Sequence, residues 1–221
     1  MKRSTLRSIV SFLFNRLTRL NVIGLEKVPL TGGALLAVNH FSRLDPPLVF
    51  ALVQRDDLTA LVADKYKHYP VISWVVRTVD GIWINREEAD LHAMREARDY
   101  LRAGGLLGIA PEGTRSRAGG LIAAKTGVAY LADKAGVMVI PTAISGTELA
   151  VSRLLTLRKP PITIQFGDPV DLLPLARGNR DAILQRNTDE IMCRIAAMLP
   201  EKYRGVYADH PRLREILLQT N

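Results

Sequence analysis

The 221-residue chain contains one cysteine, Cys193, which excludes an intramolecular disulfide, a Cys-rich zinc module and a Cys-x-x-Cys redox centre. No uncharged apolar run reaches the roughly 20 residues that a bilayer crossing requires. The apolar stretch from Ala135 to Gly146 is short and carries Pro141. There is no Gly-x-Ser-x-Gly elbow, and the four histidines, at 40, 68, 92 and 210, have no His-x-x-x-His zinc spacing. Gly119 to Thr126 comes close to a P-loop, but Ala124 replaces the glycine before Lys125 and no strand pattern leads into it. Aromatic residues make up only 6%, and the basic residues form neither an aromatic-interleaved stripe nor a recognition-helix pattern, which argues against a nucleic-acid surface.

What the chain does have is a basic excess. It carries 30 Lys+Arg against 22 Asp+Glu, a formal net charge of +8. Lys2, Arg3, Arg7, Arg16 and Arg19 all precede the first acid, Glu26, so five of these charges lie in the first 25 residues and only +3 remains for the rest. Within residues 3–20, Leu6, Ile9, Val10, Leu13, Leu17 and Leu20 recur at three- and four-residue spacings, widened by Phe12 and Phe14. This is the stripe of an amphipathic helix. Its arginines bar it from spanning a membrane, and arginines on both sides with no small-residue cleavage site do not make a signal peptide. A basic amphipathic helix suits the plane of an anionic membrane, and the alternative is a helix packed on the domain. Residues 1–24 are therefore read as an N-terminal amphipathic helix and 25–221 as one globular domain, long enough to bury a core without staples.

Strand and helix patterns then alternate. Ala34–Val38, Leu58–Ala63, Gly81–Ile84, Leu106–Ala110, Val137–Ile144 and Pro161–Gly167 read as strands. Pro46–Gln54, Pro70–Val79, Arg86–Ala103, Lys125–Ala135 and Arg180–Met198 read as helices. Asp45 before Pro46 is a good N-cap. The alternation predicts an α/β fold: a mostly parallel central sheet flanked by helices.

Three strand ends carry chemistry. After Ala34–Val38 come His40 and, past four intervening residues, Asp45. In a continuous helix the two would be about 140° out of phase, but a turn can fold them together. The carboxylate would then accept one imidazole N–H and leave the other nitrogen as a general base. A loop histidine beside an N-capping aspartate is the other reading. Gly81–Ile84 delivers Arg86 to a strand's carboxyl end, where ligand crevices of open α/β sheets lie. Arg86 there suits a phosphate, or starts a helix capped by Asn85. The segment Pro111-Glu112-Gly113-Thr114-Arg115-Ser116 offers a glycine turn, a hydroxyl and a guanidinium as anion donors, with Glu112 among them.

In this order, Asn39 to Pro46, Gly81 to Arg86, Pro111 to Ser116 and Val139 to Ala143 resemble the four sequence blocks of the glycerolipid acyltransferase family, whose best known members are the 1-acylglycerol-3-phosphate acyltransferases. The resemblance spans about Leu25 to Gly167. It implies His40 as the base that deprotonates an acceptor hydroxyl and Asp45 as its orienter. Arg86, Gly113, Thr114 and Arg115 would hold the acceptor's phosphate, Glu112 would position its glycerol, and Pro141 and Lys65 would lie on the acyl-donor side. It implies direct attack on an acyl thioester, from acyl-CoA or acyl carrier protein as substrate, with no cofactor, no metal and no covalent enzyme intermediate. The expected acceptor is lysophosphatidate and the product phosphatidic acid. Ala110 in place of the family's usual Phe, and Asn85 in place of its frequent Asp, bear on which acceptor is used. Glycerol 3-phosphate, lyso-ornithine lipid and other lysolipids are the alternatives within the family; a non-catalytic anionic-lipid-binding protein is the alternative outside it. The enzyme is expected at the cytoplasmic face of the cell membrane, peripheral or monotopic.

Overall fold

The computed structural model describes residues 2–86, 90–176 and 178–220. Its strands are β1 (Arg19–Ile23), β2 (Ala34–Val38), β3 (Leu58–Ala63), β4 (Ile82–Ile84), β5 (Leu106–Ile109), β6 (Met138–Ser145) and β7 (Pro161–Phe166). Its helices are α1 (Arg3–Leu17), α2 (Asp45–Leu52), α3 (Pro70–Thr78), α4 (Leu91–Arg102), α5 (Gly127–Ala135), α6 (Ala150–Leu155), α7 (Arg180–Met198) and α8 (Pro211–Thr220). The strands form one sheet in the order β1-β7-β6-β2-β5-β3-β4. Every neighbouring pair is parallel except β6 with β7. The α/β expectation therefore holds. The antiparallel pair arises because α6 is only six residues long: the chain leaving β6 turns back at the same sheet edge and does not cross a face.

β2 lies between β5 and β6 and is buried along its whole length, as an apolar run in a parallel sheet covered on both faces should be. Leu35 and Ala37 point into one core with Ala97 and Leu101 of α4, Leu131 of α5 and Ile191 and Ile195 of α7. Ala34, Leu36 and Val38 point into the other, with Leu6 and Phe14 of α1 and Leu48, Val49 and Phe50 of α2. The two cores make a three-layer sandwich, and the carboxyl ends of β2, β3, β4, β5 and β6 share one edge.

Three local expectations are corrected. Residues 1–24 are not one helix: α1 ends at Leu17, and Arg19–Ile23 pairs with Pro161 to Gln165 as an edge strand of the sheet. The apolar residues of α1 also form two faces. Leu6, Val10 and Phe14 pack on the domain, whereas Ile9, Phe12, Leu13 and Leu17 are exposed. Two of the five N-terminal cations belong to the inner face. Arg7 donates to Asp56 Oδ1 (2.9 Å) and to the Arg55 carbonyl (2.6 Å), and Arg3 bonds the Leu58 carbonyl and pairs with Asp80. Finally, α4 begins at Leu91 and not at Arg86. Asp90 is its N-cap, accepting from Ala93 N at 3.0 Å, while residues 87–89 of the expected helix lie outside the described residues. Among the described residues no helix is long and apolar enough to cross a membrane.

Candidate active site

The carboxyl edge gathers His40 after β2, Glu112 after β5 and Thr147 after β6. Asp45 is the first residue of α2 and does not cap it; its carboxylate turns back over the loop that precedes the helix. Oδ2 accepts from His40 Nδ1 at 3.0 Å, Phe41 N at 2.8 Å and Ser42 N at 2.7 Å. Oδ1 accepts from the Thr147 hydroxyl at 2.5 Å. Two backbone amides thus fold the His40–Asp45 loop into the turn that the four-residue spacing required, and the capping reading of Asp45 is displaced. Four donors converge on a side chain only 2% exposed, the environment of an acceptor-only carboxylate. With Nδ1 donating to Asp45, the lone pair of His40 resides on Nε2, and the 19% exposure of the ring leaves it open to a substrate.

The main chain of His40 is held as firmly as its ring. Glu112 Oε2 accepts from His40 N at 2.8 Å, its Oε1 accepts from Ile122 N at 3.0 Å, and Ser116 N donates to the His40 carbonyl at 2.8 Å. Asn39 clamps β2 to β6 through both amide atoms, donating to the Ile144 carbonyl at 2.9 Å and accepting from Ile144 N at 2.7 Å. Glu112 is buried with both oxygens engaged by backbone amides, so it acts as a brace between the His40 loop and the loop after β5. Burial pushes its carboxyl above the ordinary value, against the lowering effect of the two amides. A carboxyl that keeps its proton to higher pH when folded favours the fold fully below the unfolded value, and that contribution is lost as pH rises through the folded value. Wild type is therefore expected to lose stability relative to Glu112→Gln, which cannot titrate, as pH rises from the ordinary carboxylate range through the raised folded value; urea midpoints compared along that rise read the difference.

The glycine turn is real. Gly113 has φ +68°, and a β-carbon there would meet Lys125 Cδ at 3.1 Å. Thr114 is exposed, and Arg115 lines a cavity of about 200 Å³ with Phe41, Ser116, Arg117, Gly119, Glu148 and Tyr203. Arg86 stands at the carboxyl end of β4, three strand positions from β2, about 14 Å along the same edge. Burial lowers the pKa of its guanidinium from the ordinary value, with the Tyr66 hydroxyl working in the opposite direction. Lys65 is exposed just after β3, its Nζ 5.6 Å from the Tyr66 ring centroid. Pro141 is not at the edge: it is buried inside β6, paired with Ala37 and against Gly167, about 10 Å short of His40 along the strand direction. Among the described residues no group of three His, Cys, Asp or Glu side chains could hold a metal ion.

Thr147 has no signal in the sequence, since nothing local marks a threonine 102 positions after Asp45 as its partner. Gly146, at φ +89°, makes the turn that aims it; a β-carbon there would lie 2.0 Å from the Pro161 carbonyl oxygen. Thr147→Val is expected to lower kcat about tenfold with little change in KM, because a buried carboxylate oxygen loses its donor, and Thr147→Ser should restore the rate. Steady-state kinetics on the three proteins check this.

A family described as Acyltransferase matches residues 19–145, more than half of the chain, from the start of β1 to the end of β6. The chain belongs to the acyltransferase family. The 1-acyl-sn-glycerol-3-phosphate acyltransferase of Borreliella burgdorferi is 24% identical over 174 residues, covering 77% of this chain and 69% of that protein. The namesake from Cocos nucifera is 28% identical over 141 residues, covering 62% of this chain and 46% of that one. This acyltransferase thus spans about half the length of the plant relative. Among solved structures, the 1-acyl-sn-glycerophosphate acyltransferase PlsC of Thermotoga maritima superposes with a TM-score of 0.64 at 24% identity, over 86% of this chain and 79% of that one, and so shares the fold.

Proposed function

We propose that this acyltransferase moves an acyl chain from a thioester, acyl-CoA or acyl carrier protein, to the free hydroxyl of lysophosphatidate, giving phosphatidic acid. The observation that carries the reading is His40, oriented by Asp45, with Nε2 open at the sheet edge beside an arginine-lined cavity. Nε2 takes the proton of the acceptor hydroxyl as its oxygen attacks the thioester carbonyl. The tetrahedral adduct collapses, the C–S bond breaks, and the thiolate leaves with the proton returned by the imidazolium. Asp45 stabilises the imidazolium between the two transfers. The protein offers no competing thiol nucleophile: burial pushes Cys193 up to about 12. Arg115, and Arg86 further along the edge, are the groups assigned to the acceptor's phosphate. Docking on the cytoplasmic face of an anionic membrane through the outer face of α1 is part of the reading, supported by exposed Ile9, Phe12, Leu13 and Leu17 with Arg16.

An acceptor panel with labelled acyl-CoA tests this. Lysophosphatidate should be acylated in preference to glycerol 3-phosphate, lyso-ornithine lipid and other lysolipids, and Arg86→Ala should raise the KM for lysophosphatidate about tenfold. Preference for an acceptor without phosphate would overturn the assignment.

A further inference from the structure

α6 and its exit have features that packing does not explain. Leu149, Val151, Leu155 and Leu157 are exposed, Leu155 at 81% and Leu157 at 96%. Leu157 also has φ 57°, in the left-handed region. Its N–H donates to the Leu154 carbonyl at 3.0 Å, and Arg158 N donates to the Arg153 carbonyl at 2.9 Å. This is the helix-terminating turn whose left-handed position is ordinarily glycine, because a β-carbon there is strained. A leucine at that position buries nothing and strains the backbone. Around it Arg153, Arg158 and Lys159 are exposed, and no acid occurs between Glu148 and Asp168.

The turn meets the exit of α1. Arg19 N donates to the Pro160 carbonyl at 2.9 Å, so Leu157 and Leu17 are tied to one point by at most about 10 Å and 7 Å of chain. The outer face of α1 contributes Phe12, Leu13 and Leu17 with Arg16 and Arg19. Two apolar elements carrying five exposed cations therefore converge at the sheet edge that holds His40, and α6 begins three residues after Thr147. We infer that the α6 turn is a second membrane-insertion element: Leu155 and Leu157 enter the acyl boundary of an anionic bilayer beside α1, while Arg153, Arg158 and Lys159 contact its headgroups. The charge selects the occupant. Five cations that form no ion pair among the described residues would repel a second copy across a two-fold axis, whereas anionic lipid complements them. The inference rests on the membrane reading above.

The test is co-sedimentation of the full chain with vesicles of phosphatidylcholine plus phosphatidylglycerol, and of phosphatidylcholine alone. Wild type should pellet with the anionic vesicles only. Leu157→Gly relieves the strained backbone, so its melting temperature should hold or rise while its vesicle partitioning falls about tenfold; Phe12→Ser should also lose partitioning. If Phe12→Ser loses binding and Leu157→Gly does not, the α6 element is overturned and α1 docking stands. If wild type fails to pellet with anionic vesicles, the membrane reading itself is overturned. If Leu157→Gly dissociates an oligomer in light scattering and leaves vesicle binding unchanged, the turn is a self-association surface and the inference fails.

Discussion

His40→Ala is expected to lower kcat for acyl transfer by about 10²- to 10⁴-fold, the usual contribution of a positioned general base. The loss should be specific to chemistry. The Asp45 carboxylate keeps three of its four donors, from Phe41, Ser42 and Thr147, and the main chain of residue 40 keeps its bonds to Glu112 and Ser116. The unfolding midpoint should therefore stay near wild type, and KM for both substrates should change little. Turnover at the wild-type rate by a folded His40→Ala protein would remove His40 from the mechanism.

Asp45→Asn and Asp45→Ala should separate charge from structure. An asparagine amide oxygen placed where Oδ2 lies can still accept from His40 Nδ1, Phe41 N and Ser42 N, and the Thr147 hydroxyl can rotate to accept from the amide. The turn and the tautomer survive; the charge that stabilises the imidazolium does not. Asp45→Asn is expected to lose about 10²- to 10³-fold in kcat with modest loss of stability. Asp45→Ala leaves two backbone amides and a hydroxyl without an acceptor in a buried site, and should destabilise the fold by roughly 2–4 kcal/mol in addition. Parallel kinetics and urea unfolding distinguish the two effects.

Much of this site is legible in the sequence where its physics is local. β3 and α7 are bounded at the residues that their patterns mark, because turn residues and apolar periodicity are short-range signals. The His40–Asp45 pair is visible as a spacing at a strand end. What is hidden depends on distant partners. β1 merges with α1 in the sequence because Leu17 and Leu20 keep helical spacing; only pairing with β7, some 140 residues on, makes it a strand. The two faces of α1 look like one stripe because inward Arg3 and Arg7 find their acceptors around Arg55, Asp56 and Leu58. Glu112 is recognisable as a site carboxylate, yet its work as a brace follows from amides 72 residues before it and 10 after it. Asp45 resembles a helix cap for the same reason: a cap is read locally, and Thr147 is not local.

In the proposed reaction His40 activates an acceptor hydroxyl for direct attack on the thioester. This step is tested most directly by rapid quench with acyl-labelled acyl-CoA, in the presence and absence of lysophosphatidate. CoA should be released only with the acceptor, in step with labelled phosphatidic acid, and no label should remain on the protein. A burst of CoA without acceptor, leaving the acyl label on the chain, would contradict direct attack.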